Sequence, residues 1–142
     1  MNKVPNVSIV TANVQRLHDG RKRLTFFSKI RSNPGNIYLL NETGPPTAAQ
    51  AAQWNQECLD VGLASLFTPG NNTAIVWKPS PIIITTDNEQ PNLLHNGFGQ
   101  FSSHLSNMCF TIGSTVIRMV AIYVAAYGQL KKPYLRSLNN LL

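Results

Sequence analysis

Short apolar runs and an amphipathic stretch alternate in the first part of the chain. Residues 7–12 form a compact, β-branched run that is typical of a strand covered on both faces, and residues 36–41 form a second run of this kind. Between them, Leu24, Phe27 and Ile30 recur about one turn apart, which predicts an amphipathic helix over residues 20–32. Strand, helix and strand in this order predict a right-handed crossover.

A second helix is predicted after the break at Gly-Pro-Pro. Thr47 is a candidate N-cap, and residues 48–63 carry Ala, Gln, Glu and Leu in helical fashion. The pattern then changes to short β segments separated by turns rich in Pro, Gly and Asn. These segments are residues 64–67, 73–77 and 81–86.

Two longer extended runs predict a hairpin in the last part of the chain. Residues 98–112 and 115–125 flank Gly113-Ser114, a two-residue connection of the type that closes a hairpin. Residues 130–142 look like the start of a helix. Crossover helices together with antiparallel hairpins predict a layered domain of the α/β (α+β) class.

Composition narrows the class of protein. The 142 residues suit one globular domain, and 12 Lys and Arg against 6 Asp and Glu give a net charge of +6, which favours polyanions such as nucleic acid. Cys58 and Cys109 lack a zinc or disulfide pattern, so a reduced, intracellular setting is expected, the nucleus included. The N-terminal apolar run suits neither a secretion signal nor a membrane span, so no membrane partner is expected.

Candidate chemistry lies where two predicted strands end. Asn13 follows the first apolar run, and Asn41-Glu42 ends the second. Because open α/β sheets bind ligands at the carboxyl ends of their strands, these oxygen donors suit a hard cation such as Mg²⁺. The competing interpretation is that Glu42 only opens a loop and that Asn13 caps a turn. Spacing alone leaves both open.

The order of these segments resembles the endonuclease/exonuclease/phosphatase superfamily. Residues 9–17 (IVTANVQRL) resemble its first-strand "W/A-N-V-x-G-L", and residues 36–43 (NIYLLNET) resemble its "D-I-x-x-L-Q-E-T". Residues 73–77 are similar to its "G-x-A-I-L-x" strand, and residues 120–125 to its "L-x-N-V-Y-A-P". Residues 134–142 resemble the "R-x-x-F-x-x-L" helix of retrotransposon nucleases and abasic-site repair enzymes.

The resemblance implies a fold, a reaction and a set of site residues. The fold would be a four-layer α/β-β/α sandwich, truncated, with residues 4–142 forming the N-terminal part of the domain. The reaction would be Mg²⁺- or Mn²⁺-dependent hydrolysis of phosphodiesters in nucleic acid, DNA first. Glu42 would hold the metal, Asn13 would arrange the metal shell and the phosphate, and Tyr123 would orient the phosphate.

The sequence also departs from the family pattern. No stretch of the 142 residues matches the family's later "G-D-x-N" or "S-D-H", which the resemblance assigns to water activation and to the acid/base pair. An incomplete, inactive fragment is therefore expected, and enzymatic activity stays an open question. Arg16 occupies the usual Gly place, Asn41 the usual Gln, and Ala125-Ala126 the usual Ala-Pro.

Two rival hypotheses remain. A non-catalytic module could hold nucleic acid through basic residues such as 21–23 and 131–132, although charge runs of this kind are more often solvated faces. The second rival hypothesis is that the chain is a decayed gene product without a stable fold. His104, in Ser-Ser-His, precedes the Tyr123 motif and lacks an Asp partner, so it is interpreted as an ordinary strand histidine, and His18 and His95 as loop residues. Nothing in the sequence indicates an oligomeric state.

Overall fold

A four-stranded sheet, sheet A, contains both apolar runs of the first part of the chain. The computed structural model describes residues 6–79, 84–87 and 105–123. Sheet A has the strand order β1-β2-β4-β3, in which β1 and β2 are parallel, as the crossover pattern predicts, and β4 is antiparallel to both neighbours. Its strands are β1 (Ile9–Asn13), β2 (Ile37–Asn41), β3 (Ala64–Leu66) and β4 (Thr73–Trp77).

A three-stranded antiparallel sheet, sheet B, forms the second layer of strands. Its order is β5-β6-β7, with β5 at Ile84–Asp87, β6 at Leu105–Ile112 and β7 at Thr115–Ile122. Ile112 pairs with Thr115, so the predicted hairpin turn at Gly113-Ser114 is confirmed. Gly113 has a φ of 63°, a left-handed conformation that glycine adopts without steric cost.

Two capped helices cover one face of sheet A. In α1 (Gly20–Ser32) the N-cap Asp19 accepts a hydrogen bond from the Lys22 amide, and in α2 (Ala48–Asp60) Thr47 forms a capping box with Gln50. The predicted N-cap is therefore confirmed. The predicted end of α2 at residue 63 is wrong, because Gly62 turns the chain with a φ of 79° directly after the helix.

The described residues form three layers, which are the helices, sheet A and sheet B. One apolar core lies between the helices and sheet A, and its largest buried side chains include Phe27 and Trp54. A second core lies between the two sheets, where Ile75 and Trp77 of β4 pack in one cluster with Phe110 of β6. The mixed α/β class predicted from the sequence is confirmed, and a further helical layer would involve residues outside the described ranges.

Two burial predictions are wrong. Among the described strands β1 lies at the edge of sheet A, and Ile9, Thr11 and Asn13 are exposed, so the described residues cover only one of its faces. On α1 the buried residues are Arg23, Phe27 and Ile30, whereas the predicted core residue Leu24 is 48% exposed. Phe27 and Ile30 are buried as the helical period predicts, but in the first turn Arg23 takes the buried place instead of Leu24 because it finds partners inside.

The remaining predicted segments lie outside the described ranges. These are residues 81–83, 98–104, 124–125 and 130–142, together with His95, His104 and the lysines at 131–132. Among the described residues, neither helix is long and apolar enough to cross a membrane.

Candidate active site at one edge of the two sheets

The first two predicted site residues lie at neighbouring strand ends. Asn13 ends β1 and is in register with Asn41, the last residue of β2, and the Val14 amide donates to the Asn41 carbonyl at 3.0 Å. Glu42 follows directly. The parallel pairing therefore brings Asn13 and Glu42 to the same edge of sheet A, as the sequence predicts. Asn13 is exposed, and its Oδ1 accepts a hydrogen bond from the Gln15 amide at 3.1 Å.

The backbone at Glu42 is held by the loop that joins β1 to α1. Glu42 has a φ of 55°, and its carbonyl accepts a hydrogen bond from the Arg16 amide at 2.6 Å. The next carbonyl, that of Thr43, accepts from the Leu17 amide at 2.8 Å. A non-glycine residue in the left-handed region is uncommon and persists only where its surroundings hold it there. These hydrogen bonds supply such support.

The loop between β3 and β4 holds the other side of the same turn. The Asn72 carbonyl accepts from the Thr43 amide at 3.1 Å, and Asn72 Oδ1 accepts from the Gly44 amide at 2.8 Å. Gly44 has a φ of 75°, and a Cβ there would lie only 2.6 Å from His18 Cε1. Both the conformation and the close approach of His18 therefore require glycine at position 44. The residues after Glu42 are thus fixed from two directions.

A small cleft opens between the ends of β2 and β7. It has a volume of about 60 Å³ and is lined by Thr11, residues 39–41 and residues 120–122. Such a volume holds a few water molecules. Asn41 and Ile122 line the cleft, and Glu42 and Tyr123 are the residues that directly follow them in the sequence. Tyr123 is partly buried.

A buried polar cluster joins the two sheets near this edge. Asn71 Oδ1 accepts from the amide and the hydroxyl of Thr73, and the Thr73 hydroxyl lies 2.7 Å from that of Ser106 in β6. The Asn71 side chain donates through its Nδ2 to the Leu105 carbonyl at 2.7 Å. This cluster is not predicted by the sequence pattern. The one sequence signal for it is the Asn-Asn pair before β4, which by itself predicts only a turn.

Behind the site, Arg23 is a buried structural residue. Its guanidinium donates to both carboxylate oxygens of Glu57, at 2.6 and 2.8 Å, and lies 5.3 Å from the Trp54 ring. The Arg23 hydrogen bonds hold the pKa of Glu57 below its ordinary value. The sequence allows two interpretations of the basic run 21–23, a solvated face or a surface that binds nucleic acid. Arg23 fits neither, because its guanidinium is buried and paired. Arg21 and Lys22 are exposed.

The residue types at this edge are of the kind that binds a hard divalent cation. Glu42 has a carboxylate and Asn41 an amide oxygen at this edge, whereas Asn13 Oδ1 already accepts from the Gln15 amide, the turn-capping role that the competing interpretation gives it. Mg²⁺ is commonly bound by one or two carboxylates, with waters and substrate phosphate completing its shell. Within the described ranges, no group of three or more His, Cys, Asp and Glu residues could hold a metal ion.

Neither cysteine is in a disulfide, and Cys58 is not a candidate nucleophile. Cys58 is fully buried in the core between the helices and sheet A, and burial raises the pKa of its thiol to about 12. A thiol in such surroundings stays protonated at neutral pH and is therefore unreactive.

Comparison with known proteins supports the fold. No protein-family model matches the chain, and no curated protein matches it. Among solved structures, it is similar to the endonuclease domain of TRAS1, a telomere-specific non-LTR retrotransposon, with a TM-score of 0.56 and 13% sequence identity. The match covers 97% of this chain and 54% of that chain, so this chain spans about half of the endonuclease structure. At this identity, the likeness establishes that the described sheets and helices share the fold of an endonuclease domain.

Proposed function

We propose that this chain provides the metal-binding and phosphate-positioning half of an endonuclease-type phosphodiesterase site that acts on DNA. The observation that carries the proposal is the meeting of three strand ends at one edge of a nuclease-like fold. β1 and β2 end there in register at Asn13 and Asn41, and the last residues of β7 border the same cleft. Glu42 and Tyr123 follow β2 and β7 directly.

Each of the three residues has a distinct task in this proposal. The Glu42 carboxylate binds Mg²⁺ or Mn²⁺, Asn13 orders the water and phosphate oxygens around the cation, and the Tyr123 hydroxyl hydrogen-bonds the phosphate. A bound cation supplies a positive charge that stabilises the negative charge built up on phosphate during hydrolysis. The assignment of this task to Glu42 is supported by its fixed backbone, because its carbonyl accepts a hydrogen bond from the Arg16 amide at 2.6 Å.

Cleavage needs groups that these residues do not include. A base that activates water and an acid that protonates the leaving oxygen each require their own side chain. The 142 residues contain no "G-D-x-N" or "S-D-H" stretch, to which the family resemblance assigns those tasks. The proposal is therefore that this chain binds Mg²⁺ and DNA together without cutting the DNA.

A DNA-binding titration with and without Mg²⁺ tests the proposal. We expect Mg²⁺ to tighten binding of a short fluorescent duplex relative to EDTA, and Glu42→Gln to remove this gain, because the neutral amide loses the charge that holds the cation. Asp60→Asn is the matched control, since Asp60 is an exposed carboxylate in the last turn of α2. Equal Mg²⁺ responses of wild type and Glu42→Gln would contradict the assignment of Glu42.

The second candidate is a non-catalytic module that binds nucleic acid through charge alone. The net charge of +6 and the exposed Arg21 and Lys22 at the start of α1 favour it. Under this hypothesis affinity falls steeply with added salt, because phosphate contacts release counterions, yet Mg²⁺ gives no gain and Glu42→Gln changes nothing. The titration above therefore separates the two functions.

A further inference from the structure

Two consecutive residues beside the candidate site have left-handed backbones. Gln15 has a φ of 48° and Arg16 a φ of 70°, and neither is glycine. Residues with a Cβ are strained in this region, and such strain collects at functional sites, where the surroundings hold it in place. At position 16 the related segment of the endonuclease/exonuclease/phosphatase superfamily has glycine, which adopts this conformation freely. This chain instead keeps an arginine at a position where the backbone favours glycine.

The structure places Arg16 directly against the turn that carries Glu42. Its amide donates to the Glu42 carbonyl at 2.6 Å, and its Cγ lies 3.5 Å from the point where a Cβ on Gly44 would stand. The aliphatic part of the side chain therefore lies over the residues that follow Glu42. The residue as a whole is exposed, so its guanidinium is accessible from solvent.

The charge of Arg16 is not used within the part of the chain that the structure describes. In residues 6–79, 84–87 and 105–123 its guanidinium has no ion-pair partner, in contrast to Arg23, which is paired with Glu57. A second cation stands close by, because Lys22 Nζ donates to the Gln15 carbonyl at 2.6 Å. The nearest acidic residue along the chain, Asp19, is engaged as the N-cap of α1. Arg16 and Lys22 thus form a basic rim on the β1–α1 side of the Glu42 turn.

We infer that Arg16, with Lys22 beside it, binds a backbone phosphate of DNA adjacent to the one at the Glu42 site. A planar guanidinium binds a phosphate through two parallel hydrogen bonds, which fixes the register of the strand as well as adding affinity. The inference rests on the proposed function and adds a DNA-binding subsite to it. It also accounts for an arginine that keeps a strained backbone, since glycine would relieve the strain but remove the phosphate contact.

Arg16→Gly tests this because it should affect stability and binding in opposite ways. Relief of the left-handed strain outweighs the added freedom of glycine in the unfolded chain, so the Tm should stay level or rise. Affinity for a short DNA duplex in Mg²⁺ should nevertheless fall by about threefold or more at low salt. The slope of log affinity against log salt should decrease by about 1, as expected for one lost phosphate contact.

Two control variants separate strain from charge. Gln15→Gly relieves the same kind of strain without removing a charge and should leave DNA affinity unchanged. Lys29→Ala removes one exposed charge in the last turn of α1, at the opposite end of the helix from the basic rim, and should leave the salt slope unchanged. Arg16→Lys keeps the charge but loses the planar guanidinium that makes two parallel hydrogen bonds, so it should retain the salt slope and lose part of the affinity for DNA.

The outcomes distinguish this inference from the proposed function. If wild type and Arg16→Gly bind DNA with the same affinity and salt slope while Glu42→Gln loses the Mg²⁺ gain, Arg16 has no DNA contact and the proposed function stands. If Arg16→Gly lowers the Tm by several degrees, the arginine is a packing residue over Gly44 and the inference is wrong. If wild type does not bind DNA at all, both are wrong.

Discussion

The buried guanidinium of Arg23 connects the helices to the candidate site. Arg23 bonds Glu57 of α2 and also donates to the carbonyl of Leu17, at 3.0 Å, in the loop before α1. That loop contains Arg16 and hydrogen-bonds the turn at Glu42. A buried charge is strongly destabilising unless it is paired, so Arg23 holds this arrangement only while Glu57 is ionised.

Glu57→Gln should therefore lower the free energy of unfolding at pH 7 by about 2 to 3 kcal/mol, below the range for a fully buried pair because Glu57 keeps some exposure. Urea denaturation measures this change. The control is Asp60→Asn, which removes an exposed carboxylate on the same helix and should shift stability by less than about 0.5 kcal/mol. Equal effects of the two variants would contradict the structural importance of the Arg23–Glu57 pair.

The same pair predicts a pH dependence. The folded pKa of Glu57 is lowered from the ordinary value of 4.5, chiefly by hydrogen bonding to Arg23, so its stabilisation is complete above that value. As pH falls below 4.5 toward the folded pKa, the unfolded chain binds a proton first and the stabilisation is lost. The stability of wild type should then fall more steeply in this window than that of Glu57→Gln.

At the scale of elements, the start of α2 is set by its capping box. The Thr47 hydroxyl accepts from the Gln50 amide at 3.1 Å, and the Gln50 side chain accepts from the Thr47 amide at 2.9 Å. α2 presents Trp54 to the His18 ring at a centroid distance of 5.1 Å, and His18 in turn packs on Gly44. The position of the helix thus affects the turn that follows Glu42.

Thr47→Ala should cost about 1 kcal/mol of unfolding free energy, because an amide at the start of α2 loses its acceptor. Thr47→Ser retains a hydroxyl and should cost much less. Thermal melts followed by circular dichroism measure both. Indistinguishable melts for Thr47→Ala and wild type would show that the capping box contributes no stability.

At the scale of the whole molecule, two separate cores determine where the cleft lies. The core between the sheets sets the spacing of β2 and β7, whose ends line the cleft. The fold also reduces the positive charge available to a polyanion, since Arg23 is paired in the interior and Lys78 is buried against the Asn33 carbonyl. Burial lowers the pKa of Lys78. Two of the 12 Lys and Arg residues are therefore withdrawn from the surface, while the net charge of +6 already counts the Arg23–Glu57 pair as neutral.

Phe110→Ala should lower the free energy of unfolding by about 3 to 5 kcal/mol, because Phe110 is fully buried between the sheets. Tryptophan fluorescence measures the unfolding. The Phe110 ring lies 5.2 Å from that of Trp77, whereas Trp54 belongs to the other core, so the fluorescence change caused by the substitution should come from Trp77. Repeating the measurement with Trp54→Phe as background assigns the signal. Phe110→Leu fills most of the space and should cost clearly less. A loss below about 1 kcal/mol for Phe110→Ala would mean that the two sheets do not depend on this contact.

The residue pattern by itself was sufficient to predict both helices, most strands, the hairpin turn and the neighbouring positions of Asn13 and Glu42. These follow from local periodicity, caps and turn residues, and from the rule that a strand–helix–strand unit makes its strands parallel. The resemblance to a family pattern also marked Arg16 as standing at a usual glycine position, but it did not reveal the strained backbone that makes this departure informative.

Only the tertiary structure decided which faces are buried and what holds the site. Sequence periodicity treats a charged residue as a surface residue, so it placed Leu24 inside and Arg23 outside, whereas Glu57, 34 positions away, makes the interior favourable for Arg23. Other features also depend on partners far along the chain. These are the edge position of β1 among the described strands, the hydrogen bond from the Gly44 amide to Asn72 and the hydrogen bond from Asn71 to β6. Such contacts leave no periodic signal, because their energies arise only when the chain has folded.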